Sequence, residues 1–161
     1  MQFTLTSTQK EWLTNSDSLT QRLRNLTHHQ ITHHLFYDHW GAATDTLRTS
    51  LQLKSKTKTW IRQMEWHFHE EIWLACTVVI PETSIQKDTE ILRHVGTKSI
   101  GDILFQDKTL KRDPFTFQEW QDEKGNPYWT RRSIFYFKQK PLLIEETFFH
   151  AFFRKIACEI K

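Results

Sequence analysis

The sequence predicts an α+β protein: one antiparallel sheet carrying helices on one face. Three observations lead there. Thr59–Phe68 alternates apolar and polar residues and is followed by a β-branched run, Ile72–Ile80, that stops at Pro81. Aromatic, strand-like segments in the C-terminal third are separated by short turn signals, Lys124-Gly125-Asn126-Pro127 and Gln139-Lys140-Pro141. Strands joined by short turns pair antiparallel. Near the start, SDSLTQRLRNL places Ser18 three residues ahead of Gln21, a capping-box spacing, with Leu19, Leu23 and Leu26 at helical intervals.

The elements follow in order. Ser18–Leu26 is expected to be a short helix. From Thr27 to Thr59 the pattern weakens: ITHHLFYDHW has strand character, and GAATDTLRTSLQLKSKTKT is rich in Thr, Ser and Lys. Thr59–Phe68 and Ile72–Ile80 form a hairpin turning at His69–Glu71. In SIQKDTEILRHVG, Ile85, Ile91, Leu92 and Val95 share a helical stripe that predicts a helix ending at Gly96 as its C-cap. GTKSIGDILF reads as a glycine-punctuated loop leading into an apolar step. From Asp113 to Phe153 the chain reads as mostly strand, in two further hairpins.

Length and composition bound the function. At 161 residues the chain suits one domain, residues 1–161, with a single sizeable core. A hydrophobic content of 38% with only 4 Gly and 4 Pro excludes disordered and collagen-like classes. The net charge of +3 arises from scattered basic residues and points to neither a nucleic-acid nor a membrane partner. Cys76 and Cys158 stand apart, without metal-ligand or disulfide spacing, which suits a reducing cytoplasm. The N-terminus lacks a signal-peptide pattern, and no apolar run is long enough to span a bilayer.

Several candidate chemistries fail on the sequence. Five of the nine histidines lie in THHQITHHLFYDHW, and His67 and His69 share a strand face, a spacing a metal could use. That face also carries Gln63 and Glu65, so a solvated surface is the simpler reading, and no metal is expected. There is no GxSxG, P-loop, GxGxxG or HExxH. The aromatic residues alternate into one strand face as a core does, rather than forming a base-stacking platform.

One residue does not fit its strand. Trp60, Arg62, Met64, Trp66 and Phe68 share a face, which puts a permanent cation among hydrophobes. A guanidinium there must find an anion or strong acceptors. An internal salt bridge and an anionic-ligand site both satisfy it. In LLIEETFF, Leu142, Ile144, Glu146 and Phe148 share a second apolar face, while Glu145 lies on the other with Leu143 and Phe149. Phase alone leaves open which glutamate points inward.

These segments resemble the chorismate pyruvate-lyases that make 4-hydroxybenzoate for ubiquinone. The resemblance rests on WIRQM, WLACTVVIP, VGTKSIGDILF, WTRRSIFYF and KPLLIEETFF, with EWLTNSDSLTQRL near the start, all in the family's order. It fails mainly between Thr27 and Thr57 and after Phe149. It implies a six-stranded antiparallel sheet with helical flaps over a buried ligand cavity. Arg62 takes the place of the family's ligand-carboxylate arginine, Glu146 that of the glutamate meeting the ring hydroxyl, and Leu19 and Ile100 those of apolar residues lining the site. The family also has an arginine in the second strand of the hairpin that shapes ligand exit; Thr77 stands there.

The resemblance further implies a lyase that needs no cofactor, with chorismate as substrate and 4-hydroxybenzoate as product, and a monomer is expected. The same fold also resembles effector-binding domains of bacterial transcription regulators. A non-catalytic binder of aromatic carboxylates is therefore the other expectation.

Overall fold

The computed structural model describes residues 4–158. Seven strands form one antiparallel sheet: β1 (Thr32–Gly41), β2 (Thr59–Phe68), β3 (Glu71–Pro81), β4 (Lys111–Arg112), β5 (Thr116–Gln121), β6 (Pro127–Phe137) and β7 (Lys140–Phe148). Their order is β1-β2-β3-β7-β6-β4, with β5 pairing along the remainder of the same edge of β6. The six-stranded expectation differs only by β4, a two-residue bridge. Five helices accompany the sheet: α1 (Ser7–Thr14), α2 (Leu19–Leu26), α3 (Asp45–Ser50), α4 (Ile100–Leu104) and α5 (His150–Cys158).

Turn chemistry fixes the register. Two hairpins close through two-residue loops, His69-Glu70 between β2 and β3 and Lys138-Gln139 between β6 and β7, and all four residues have positive φ. That is the turn geometry whose twist matches the strands. The register then lines up Met64, Cys76, Glu146 and Arg131 across four strands, and beside them Arg62, Val78, Ile144 and Ser133.

An irregularity at Phe36 inserts one extra residue into β1, so that Leu35 opposes Met64 and Asp38 opposes Arg62. Without it, alternation would send Asp38 to the other face.

The face bearing Arg62 and Glu146 is covered in two halves. Trp12, Leu23, Phe152, Phe153 and Ile156, from α1, α2 and α5, pack on Met64, Trp66, Leu74 and Phe148. Leu92, Val95, Ile100 and Leu104 pack on Trp60, Val78, Ile80, Phe135, Leu142 and Ile144. The helix α3 lies on the opposite face, where Leu47 meets Ile61, Val79 and Leu143. That short helix is what the unreadable Thr- and Lys-rich stretch contains.

Two sequence expectations need correction. Between Glu82 and Arg93 the chain forms two 3₁₀ turns, Glu82–Ser84 and Glu90–Arg93, in place of one helix. Thr89 Oγ1 donates to the Ser84 carbonyl at 2.7 Å and accepts from the Gln86 amide at 2.8 Å, satisfying backbone groups that a helix would need. Gly96 still takes a positive φ, of 65°. The second correction concerns HAFF, read as strand, which opens α5. Phe149, Phe152, Phe153 and Ile156 recur at helical spacing, and the last three are buried.

Phe152 is fully buried, with its ring against those of Trp12, Trp73, Phe148 and Phe153. Phe152→Ala should therefore lower the unfolding free energy by about 3–5 kcal/mol, seen as a lower urea midpoint at unchanged slope. A loss under ~1 kcal/mol would show that α5 contributes little to the core.

Candidate active site

Between the two covered halves lies a partly open cavity with Arg62, Met64, Cys76, Val78, Ile144 and Glu146 in its floor. Its walls include Leu74 and Phe135, and its lid is made by Ser18, Leu19 and Thr20 at the start of α2 and Ser99, Ile100 and Gly101 at the start of α4. All four site residues expected from the sequence, Leu19, Arg62, Ile100 and Glu146, border this one space. The centres of water molecules can range over about 60 Å³ of this space, and the hollow extends beyond that by a water radius on every side.

Arg62 is 2% exposed and held by backbone as much as by charge. One Nη donates to the Gly96 carbonyl at 2.6 Å and to Asp38 Oδ2 at 3.4 Å, and the other donates to the Lys98 carbonyl. Asp38 is itself fixed by the Trp60 indole N–H at 2.9 Å. Burial pulls the Arg62 pKa below the ordinary arginine value, and Asp38 opposes the shift. The internal salt bridge and the cavity-facing cation are thus parts of one arrangement.

Glu146 projects into the cavity and Glu145 does not. Glu145 is on the far face, bound to Arg132 Nε at 3.0 Å and Nη2 at 2.7 Å. Glu146 is paired with the Nε of Arg131, a buried cation that sequence reasoning passed over. An Nη of Arg131 donates to the carbonyls of Leu13 and Asn15, both at 3.0 Å, at the C-terminal end of α1. Those are carbonyls that a helix end leaves unpaired, and a cation suits them. The signal was in the sequence: Arg131, Ser133, Phe135 and Phe137 share one strand face, the same anomaly as Arg62.

Two contacts latch the lid. Thr20 and Ser99 share a buried hydroxyl–hydroxyl hydrogen bond of 2.8 Å, and Arg24 makes a two-pronged pair with Asp102 at 3.1 Å on each side. Both tie α2 to α4. In the floor, burial pushes the Cys76 thiol pKa up, with the Glu146 charge adding to the effect. Cys76 is thus a neutral, apolar part of the lining.

Thr77 does not border the cavity. It opposes Gln63 and Glu145 in the register, and alternation turns it to the far face. Thr77, at the place of the family's exit arginine, thus points away from this space; the β3 residues lining it are Leu74, Ala75, Cys76 and Val78. Of the nine histidines, His33, His34 and His39 lie on β1 and His67 on β2. His67 pairs with Glu65 at 2.9 Å and His33 meets the Thr97 carbonyl at 2.5 Å. Among the described residues, no three His, Cys, Asp or Glu side chains converge to hold a metal ion.

Comparison with known proteins agrees with this geometry. Among solved structures, the C-terminal domain of the histidine utilization repressor from Pseudomonas syringae superposes with a TM-score of 0.58 at 11% identity, over 73% of this chain and 90% of that one. A GntR-family transcriptional regulator from Bacillus cereus gives 0.52 at 9% identity, over 74% and 91%. These likenesses establish the fold alone. In sequence, the Coxiella burnetii protein named "Probable chorismate pyruvate-lyase" is 36% identical over 159 residues, covering 92% of this chain and 86% of that protein. A Salmonella schwarzengrund chorismate pyruvate-lyase is 29% identical over 88% of this chain and 82% of its own length. The family model for chorismate lyase matches residues 1–157, and with the sheet, lid and cavity in agreement, the chain belongs to the chorismate lyase family.

Proposed function

We propose that this protein is a chorismate pyruvate-lyase, converting chorismate to 4-hydroxybenzoate and pyruvate, the first committed step toward ubiquinone. The observation that carries the reading is one cation, Arg62, and one carboxylate, Glu146, facing the same largely apolar cavity. Arg62 grips the ring carboxylate, Glu146 accepts a hydrogen bond from the ring hydroxyl, and Leu19 and Ile100 close on the ring from the lid. No cofactor is needed. Breaking the C–O bond to the enolpyruvyl group leaves its electron pair on the ether oxygen, and the neighbouring ring carbon loses its proton. The electrons of that C–H bond complete an aromatic ring, which drives the reaction, and the enol becomes pyruvate.

The protein's part is to orient the substrate, exclude water and place charge. The carbon that loses its proton is the one bearing the hydroxyl, so a carboxylate at that hydroxyl stands beside the proton to be moved. The reading takes the chain as a monomeric single domain acting in the cytoplasm without nucleic acid. Among the described residues no helix is long and apolar enough to cross a membrane.

The shared fold of the transcription regulators supports a second reading, a non-catalytic binder of aromatic carboxylates; the Arg62 and Glu146 pairing favours the enzyme. Incubation of purified protein with chorismate decides between them. Equimolar 4-hydroxybenzoate, read by chromatography, and pyruvate, read through lactate dehydrogenase, is the expected result. Binding of 4-hydroxybenzoate without turnover would leave the binder.

Arg62→Ala should reduce kcat/KM at least ~100-fold, about 2.7 kcal/mol of transition-state binding. Arg62→Lys should recover little, because an ammonium lacks the planar fork that reaches ligand and loop carbonyls together. Near-normal turnover in the alanine variant would reduce Arg62 to a structural role.

Glu146→Gln should cut kcat by about 10²–10⁴-fold. Glu145→Gln, on the far face, should stay within about threefold, as surface changes do. Steady-state assays of both variants make the comparison, and equal losses would contradict the assignment of the inward glutamate.

The product keeps the carboxylate and hydroxyl that the site grips, so release should limit turnover. Arg24→Ala removes one of the two lid latches and should raise the 4-hydroxybenzoate dissociation rate about threefold or more, for a partly exposed pair worth up to ~1 kcal/mol. Stopped-flow displacement measures it, and an unchanged rate would show that the ion pair does not hold the lid.

A further inference from the structure

Chorismate carries two carboxylates, one on the ring and one on the enolpyruvyl group, and Arg62 accounts for only one. Past the cavity wall stands Arg112, in β4, a residue that does not itself border the space. It pairs in register with Phe135, a wall residue, and so projects from the same face of the sheet. Its guanidinium lies 4.1 Å from the centre of the Phe115 ring and 5.3 Å from that of Phe135. Both rings steady the cation through their faces.

Among the described residues no carboxylate closes an ion pair with Arg112, although it is half-buried. Its charged neighbours are Arg131, whose guanidinium also stands over the Phe115 ring, at 4.3 Å, and the carboxylates of Glu146 and Asp17. Burial and Arg131 pull the Arg112 pKa below the ordinary arginine value, and the two carboxylates oppose them. A half-buried guanidinium without a bound anion is costly unless it has a use.

Geometry supplies one. Arg62 on β2 and Arg112 on β4 are separated by β3, β7 and β6, four inter-strand steps. At about 4.8 Å per step their backbones stand roughly 19 Å apart. Arg62 borders the cavity and Arg112 lies against its Phe135 wall, so a dianion extending from the floor past that wall meets a cation at each end. Asp17 precedes the lid residues Ser18 and Leu19, so Arg112 also stands where the lid meets the sheet.

We propose that Arg112 binds the enolpyruvyl carboxylate of the substrate, the one anionic group that chorismate has and 4-hydroxybenzoate lacks. This rests on the chorismate lyase reading above. Arg62 and Glu146 then hold what substrate and product share, whereas Arg112 holds only what leaves. Arg112 is thereby a residue that separates substrate affinity from product affinity.

The test uses Arg112→Gln, which keeps a stem over the two rings and removes the charge, and Arg112→Lys, which restores a charge. In the glutamine variant kcat/KM for chorismate should fall at least tenfold, mainly through KM, while the inhibition constant of 4-hydroxybenzoate stays within twofold. The lysine variant should recover part of the loss. Parallel loss of product affinity, or unchanged kcat/KM, would overturn the proposal.

A second measurement needs no variant. By calorimetry the unaltered protein should bind 3-(carboxymethoxy)-4-hydroxybenzoate at least tenfold more tightly than 4-hydroxy-3-methoxybenzoate, which lacks the second carboxylate. Equal affinities would equally overturn the proposal. Absence of chorismate turnover by the unaltered protein would instead sink the lyase reading, so the two failures are distinguishable.

Discussion

A guanidinium set in the apolar floor of a sheet must be given acceptors, and much of this structure is the means of giving them to Arg62. Leaving such a group unpaired would cost several kcal/mol, out of a total stability on the order of ten. Two separate parts of the chain answer that demand. The extra residue in β1 swings Asp38 round to face Arg62. The positive φ of Gly96 shapes a loop that offers the carbonyls of Gly96 and Lys98. That loop leads directly into Ser99 and Ile100, so the arginine that faces the cavity also sets where half of its lid begins.

A second cation repeats the device with different partners. Arg131 spends its Nε on Glu146 and an Nη on carbonyls at the end of α1. Both buried arginines are therefore only partly balanced by carboxylates, and neutral carbonyl dipoles supply the rest. Carbonyls satisfy the donors without cancelling the charge, which suits a cavity meant to receive an anion. A floor with a carboxylate for every guanidinium prong would be stable but indifferent to a carboxylate ligand.

What could be read from the sequence was whatever had a clean phase. Arg62 stood out because four hydrophobes share its face, and the β2–β3 hairpin was evident for the same reason. Arg131 carried an equal signal, but Arg132 follows it, and adjacent like residues blur alternation just as Glu145 and Glu146 do. In β1 the phase is broken by the extra residue at Phe36, and as an edge strand it has no buried residue, so the sheet's first strand left little hydrophobic pattern. The stretch after Pro81 had a helical stripe, yet the Thr89 hydroxyl captured its backbone locally. Thr77 shows the opposite case. Family alignment brought it to notice, although the phase that put Cys76 in the floor already turned its neighbour away.

The attachment of Arg131 to α1 bears on how this domain can be handled and how it can diverge. α1 forms no part of the sheet, and in outline it could pass for a dispensable leading segment. Its terminal carbonyls nevertheless hold the arginine that holds Glu146. Trimming the chain back to Asp17 would leave every strand in place while freeing the guanidinium that orients the acid. The N-terminal boundary of any shortened or fused version is thus a boundary of the catalytic centre itself. Lineages that lose or replace this helix would be expected to keep the sheet and change the chemistry.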